Sequence, residues 1–520
     1  MKKIINYSLG LVLSAFLFSA CTDYLDVNKD PSYPTTSATP LLFTSGTTWS
    51  ASILGCDVQL VTALWSQQYA QNTNSQQYTT IDQYNMANNN TYFSRYWQSI
   101  YAGALPDLKQ AISQAEKDGD WHYWLASKVM TAYNFNMLVS LFEKIPFAQA
   151  LQGDANLTPV FDDSKTVDAG ILALLDQAIA KKDAATAMLT KMGSKDMVYA
   201  GNITKWVQFA KTLKLKILMR DFTTNQAAIQ ALLTEGDLLA TDAKLTQFTD
   251  AENKSNPLYE NDRRKLNTTL NIRVSATMVQ YLKANNDPRI ASFAEPTSSI
   301  LQISAKTGKD TIVAVPTALA PYYRGCDQGA YGSNTLSGSA FPPTVHSRAV
   351  LAATDPVYFM SATESYFLQA EAWARIGDSG KAKTAYETAV KAAFSRWGYD
   401  ATTFLAAGGA YAFDATSSDT MLKCILMQKW VSSTRTDAWN AFFDICRTGI
   451  PALGTQTVTD LSSISKINAN YVVGTLAPSI GSVLVAGQFP HRFLYPKLSS
   501  DNNPNTPLVV PLGQKMWWHK

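Results

Sequence analysis

The chain has 520 residues and a mass of 57 kDa, which at roughly 100–200 residues per domain leaves room for more than one. Hydrophobic residues make up 46% and charged residues 16%, which excludes a disordered chain, because disorder goes with few apolar residues and much charge. A formal net charge of +3, with no run of Lys and Arg longer than three residues, excludes the concentrated basic stripe of a nucleic-acid binder.

The first predicted element is an address. Lys2 and Lys3 precede an apolar run from Ile4 to Phe18, and the small residues Ser19 and Ala20 follow. A positive start, an apolar middle and a small-residue end read as a secretory signal over 1–20. The run is interrupted by Asn6, Ser8 and Gly10 and falls short of the ~20 apolar residues of a membrane span. Leu17-Phe18-Ser19-Ala20-Cys21 resembles a bacterial lipoprotein signal, so Cys21 is the expected lipidation site. Residues 21–40, with Pro31, Pro34, Pro40 and many Ser and Thr, read as a tether. Asp26 to Asp30 imitates the start of a calcium loop, but Pro31 stands where that loop needs glycine.

From Val58 to Ser94 the only charged side chain is Asp82. Asn and Gln crowd this stretch, interleaved with Trp65, Tyr69, Tyr78, Tyr84 and Tyr92. Amides donate and accept hydrogen bonds without charge, and aromatic rings offer flat apolar faces. The combination suits a ligand studded with hydroxyl or peptide groups, and Trp65, Tyr69, Asn72, Tyr78 and Tyr84 are its candidate contacts. Trp97 and Tyr101, one helical turn apart, read as core.

Helical periodicity follows. Trp121, Leu125, Val129 and Ala132 share a face, as do Ile171, Leu174, Leu175, Ala178 and Ile179, and then Trp206, Phe209, Ala210, Leu213 and Ile217. Segments 105–145, 169–220 and 421–445 are candidate helix pairs. The most specific pair spans 366–397, where Gly377, Ala382, Tyr386 and Ala389 stand as the turn glycine, small residues and aromatic of a tetratricopeptide repeat. One repeat cannot bury its own face, so the others should flank it. Long polar stretches at 69–93, 240–270, 293–345 and 453–488 read as functional loops, with a short strand at Thr311 to Val315. Tyr322, Tyr323, Arg324 and Tyr331, near Asn334 and Phe341, form a second candidate binding region. The predicted fold is therefore mainly α: a tetratricopeptide-like scaffold with a loop-rich irregular half and a few short strands, one large domain over 41–520.

No nucleophile elbow, zinc-protease helix or phosphate loop occurs. His122, His346, His491 and His519 are scattered, and the spacing of Cys56, Cys326, Cys424 and Cys446 matches no zinc or redox pattern. Buried thiols are expected, with one disulfide left open. No catalysis, metal or cofactor is expected.

Several tags recur in one order along the chain. They are Asp23 to Pro31, Glu143 to Ala150, Asp196 to Arg220, Asn256-Pro257-Leu258-Tyr259 and Asp287-Pro288-Arg289. Near the end come Gln428-Lys429-Trp430, Ala438-Trp439-Asn440, Arg447-Thr448-Gly449 with Pro451, Arg492 to Pro496, Asn502-Asn503 and Trp517-Trp518. In these tags the chain resembles the SusD/RagB outer-membrane lipoproteins of Bacteroidetes, in the SusD-like branch. Glu143-Lys144 replaces a usual Gly-Asp, and Asp444-Ile445-Cys446 stands where an arginine is common. The resemblance implies a surface-exposed, lipid-anchored protein that sits as a lid on a SusC-like TonB-dependent transporter. Such proteins bind an oligosaccharide, or in some cases an oligopeptide, and pass it to the barrel without a cofactor. Lys205-Trp206, Arg447-Thr448-Gly449 and Trp517-Trp518 are then scaffold or transporter contacts. For a peptide ligand, Arg324 is the expected holder of its carboxylate.

Overall fold

The computed structural model describes residues 37–520 apart from 89, 190, 267–270, 333–334, 337–338, 341–342 and 486. Cys21, Asn334 and Phe341 lie outside the described residues.

The first helix, α1 (Thr39–Ile53), begins two residues inside the expected tether. Pro40 sits in its opening turn, where a missing N–H has no helical partner to lose. A five-residue π turn, Leu54–Val58, leads into α2 (Gln59–Trp65). After strand β1 (Tyr69–Gln71) come α3 (Thr91–Gln98), α4 (Leu105–Asp118), α5 (Trp121–Phe142), α6 (Ser164–Ala180), α7 (Ile203–Leu218) and α8 (Phe222–Glu235). The irregular middle holds β2 (Ala243–Leu245), β3 (Ile272–Val274), α9 (Ala276–Ala284), β4 (Ser299–Ile303), β5 (Asp310–Ala314), β6 (Thr335–Leu336), β7 (Ser339–Ala340) and β8 (Val357–Met360). The last long helices are α10 (Ala362–Ile376), α11 (Ser379–Ser395), α12 (Ser418–Ser432) and α13 (Ala438–Thr448).

The four expected helix pairs are present: α4 packs on α5, α6 on α7, α10 on α11, and α12 on α13. Further contacts link the pairs, α5 to α6, α8 to α10 and α10 to α12, so each covers an apolar face that its neighbour leaves open. The α10–α11 turn shows the local cause. Gly377 ends α10 at φ 95°, a left-handed conformation that a Cβ disfavours. Asp378 then caps α11 by accepting from the Lys381 N–H at 3.0 Å, which satisfies one orphan donor of the first turn. Ala382 and Ala389 are wholly buried. Tyr386 fills the gap between the helices, and its hydroxyl donates to the Tyr411 carbonyl at 2.9 Å.

Charged side chains join the pairs in the interior. Arg447 of α13 clasps Glu371 of α10 with two bonds of 2.7 Å and reaches Asp444 at 2.8 Å. Lys429 of α12 lies 2.7 Å from Asp444 and 3.1 Å from Glu364 of α10. Lys216 of α7 donates to the same Glu364 at 2.7 Å. The Arg447-Thr448-Gly449 tag is thus scaffold, as is Trp206, which is buried and donates to Asp196 at 2.8 Å.

The strands pair only in twos among the described residues: β1 with β3, β2 with β8, β4 with β5 and β6 with β7, all antiparallel. The strand expected at Thr311 to Val315 is β5. The four cysteines Cys56, Cys326, Cys424 and Cys446 are free thiols. No described helix is long and apolar enough to cross a membrane.

Candidate functional site

The sequence-predicted site divides into a buried part and an accessible part. Trp65 ends α2 with no exposed surface. Its indole N–H donates to the Ile81 carbonyl at 3.1 Å, and its ring packs on Phe442 and Phe493 at 5.3 and 5.5 Å. Tyr69 lies in β1 opposite Val274 and is 1% exposed. Tyr78 is fully buried and donates to Asp262 at 2.8 Å. Burial and the Asp262 charge push its phenol far up. Tyr84, 2% exposed, meets Phe489 edge-on at 6.0 Å. Asn72 is buried, with its backbone N–H on the Asn271 carbonyl at 2.8 Å. These five residues therefore present no face to a ligand in this structure; they are core.

The buried amides have a structural role. Irregular chain folded inward must still pair its N–H and C=O groups, and glutamine does this here. Gln67 bridges Ala477 by donating to its carbonyl and accepting from its N–H at 2.8 Å. Gln68 donates to the Trp430 carbonyl at 3.0 Å, and Gln71 accepts from the Tyr78 N–H at 2.7 Å. Asp82 accepts from the Gly329 N–H at 2.7 Å and from the Gln328 amide. Burial raises its pKa to about 8 against the pull of those donors.

The same bonds bring the two predicted regions together. Gln83 donates to the Gly329 carbonyl at 3.1 Å, Gln328 to the Leu64 carbonyl at 2.9 Å, and the Cys326 thiol to the Gln71 carbonyl at 3.3 Å. At the surface Gln76 donates to the Tyr331 hydroxyl. Tyr331 is half-buried, and Gln76 with its chain neighbours Asn74 and Gln77 is exposed. One rim of a candidate site is thus an aromatic ring among amides.

A second rim adjoins the last turn of α9. Tyr322 and Tyr323 are half-buried, with the exposed Lys283 ammonium 4.9 Å from the Tyr322 ring centroid. Burial, together with the nearby Tyr399, raises the Tyr323 phenol pKa. Arg324 donates to the Ile464 carbonyl and so pins the 453–484 loop. The same helix turn gives Tyr281 and Asn285 to a cavity of about 960 Å³, bounded also by Met427, Gln428 and the 472–475 turn. The Tyr281 ring stacks on Tyr411 at 6.4 Å. Sequence reasoning missed Tyr281, Lys283 and Asn285. Their signal was an aromatic and an amide one turn apart, just before the Asp287-Pro288-Arg289 tag.

Residues 45–468 match the SusD-like family, described as starch-binding and associating with the outer membrane. None of the curated proteins is a significant sequence match. Among solved structures the chain is similar to a SusD homologue from Bacteroides uniformis, with 20% identity and a TM-score of 0.70 over 93% of this chain and 100% of that one. It is similar to a chitin-binding SusD homologue from Flavobacterium johnsoniae at 19% identity and a TM-score of 0.69, over 92% and 98% of the two chains. A SusD/RagB family protein from Bacteroides thetaiotaomicron matches at 19% identity and a TM-score of 0.67, over 93% and 99%. These likenesses establish the helical fold, and the match across most of the sequence places the chain in the SusD-like family.

Proposed function

We propose that this protein is a lipid-anchored binding protein of the cell surface that captures an oligosaccharide and hands it, chemically unaltered, to a SusC-like TonB-dependent transporter. The observation that carries the reading is the match of residues 45–468 to a family of starch-binding, outer-membrane-associated proteins. The lipoprotein-like Leu17 to Cys21 supplies the anchor. A chitin-binding structural relative supports a polysaccharide-derived ligand.

The site lies on the two accessible rims. Tyr322, Tyr323 and Tyr331 keep part of each ring free, and Asn74, Gln76 and Gln77 stand ready for hydroxyl groups. A sugar ring laid on a tyrosine face loses apolar surface from water, while the amides replace the water bonds of its hydroxyls. Arg324, the expected holder of a peptide carboxylate, is already bonded to the Ile464 carbonyl, which favours sugar over peptide.

The test is isothermal titration of the full chain in detergent with maltodextrin and chitin oligosaccharides. Replacing Tyr322, Tyr323 and Tyr331 together by alanine should weaken the bound sugar at least about tenfold, since an aromatic contact contributes about 0.5–1.5 kcal/mol. Unchanged affinity in that variant refutes this site. Turnover of any bound sugar refutes a purely binding role.

A further inference from the structure

Three metal-ligating side chains that are scattered in sequence meet at the end of the chain. Cys446 lies in α13, His491 in the segment that follows Phe489, and His519 next to the last residue. Their ligand atoms all lie within 4.8 Å of one another. The two imidazoles face each other, with Nδ1 of His491 3.2 Å from Nδ1 of His519. Cys446 and His491 are buried, and His519 is half-buried beside the exposed Lys520.

We infer that Cys446, His491 and His519 form a binding site for a thiophilic divalent ion of the zinc class. The N···N distance of 3.2 Å supports this. Two nitrogens bound at about 2.0–2.1 Å in a tetrahedral site stand about 3.3 Å apart. A thiol with two imidazoles selects zinc or a similar ion over magnesium or calcium, which take oxygen ligands. Three protein ligands leave a fourth position for water.

The surroundings hold the three ligands in place. The Lys520 N–H donates to the Cys446 carbonyl at 3.1 Å, and the His491 N–H to the Leu512 carbonyl at 2.9 Å. The Met516 N–H donates to Nδ1 of His519 at 3.2 Å; this is the long end of the hydrogen-bond range, and the ion takes its place after a small shift of the tail. Arg220, Arg492 and Lys515 act electrostatically on His519 and oppose a cation. The thiolate offsets part of that charge. Binding forms one metal–sulfur and two metal–nitrogen bonds and breaks one S–H bond, so one proton leaves per ion. The histidine that carried its hydrogen on Nδ1 moves it to Nε2. The site then ties the C-terminal tail to α13.

The experiment uses the full chain in detergent, freed of metal by a chelator. Zinc should bind at one ion per chain, and cobalt in its place should give a thiolate-to-cobalt charge-transfer band. His519→Ala, which also removes the acceptor of the Met516 N–H, should weaken zinc at least about tenfold, with a cooperative metal-free melting curve showing that the variant folds. Cys446→Ser should abolish the cobalt band. The inference is overturned by failure to bind one equivalent, by a cobalt form without that band, or by a His519→Ala variant that binds zinc as tightly as the wild type.

Discussion

Asp82 carries the only charge between Val58 and Ser94, and the structure buries it under the loops it joins. Its ordinary pKa is about 3.9; in the fold, burial lifts it to about 8. Between these values the unfolded chain ionises Asp82 while the folded one keeps the proton. The contribution of Asp82 to stability is therefore intact below about pH 4, falls as pH rises, and levels off above about pH 8. Asp82→Asn stays neutral throughout, and turning the Gln328 Oε1, buried and without a hydrogen-bond partner, towards the new amide gives up only the bond to the Leu64 carbonyl. Relative to the wild type, the variant should gain on the order of 5 kcal/mol between pH 4 and pH 8, at about 1.4 kcal/mol per pKa unit, and should be the more stable protein at pH 8. Urea midpoints at both pH values check this, and an equal difference at the two would refute it. The residue scale is also where sequence reading of the site fell short. Gln67, Gln68 and Gln71 look in sequence like hydrogen-bonding groups held out to a ligand. Composition reports the amide but not whether the chain folds over it, and these loops fold inward and pair their own backbone.

Elements were far more legible. Ala382, Tyr386 and Ala389 sit on one helical face within eight residues, so the period that packs them is visible locally. Tyr386 gives that face a measurable weight. Tyr386→Phe removes only the bond to the Tyr411 carbonyl and should cost about 1 kcal/mol. Tyr386→Ala also empties the space between α10 and α11 and should cost about 3–5 kcal/mol. Denaturant unfolding of the two variants distinguishes packing from hydrogen bonding, and equal losses would show that the aromatic ring contributes nothing. The elements that sequence did not show are those set by distant partners. The three-residue strand β1 exists because β3, some 200 residues later, pairs with it. The turns of 453–484 hold their shape through Gln67, Arg324 and Asp327, which bond to Ala477, Ile464 and Thr459.

At the scale of the whole molecule, one-domain architecture and the order of the helix pairs followed from spacing, but the way the pairs are fastened did not. Acids and bases on four helices form an interior network, and helical spacing alone does not show which of them pair. Glu371 is its centre. Burial alone would raise its pKa; Arg447 and Arg375 outweigh burial and hold the carboxyl well below the usual range. A depressed pKa of this kind gives stability that is present above the ordinary glutamate value of about 4.3 and lost as pH falls through the folded value. Arg447→Met keeps most of the packing but leaves Glu371 buried with Arg375 as its one ion-pair partner and Lys429 as a weaker charge, and removes one of the two bases that face Asp444. Breaking a buried pair on one side costs about 3–5 kcal/mol at pH 7. Near pH 4 the cost should shrink, because an under-compensated Glu371 can take a proton where the wild-type carboxylate cannot. Urea unfolding of both proteins at pH 7 and pH 4 measures this. A loss that is the same at both pH values would mean that Arg447 acts through packing, and that the helix pairs are not fastened by charge.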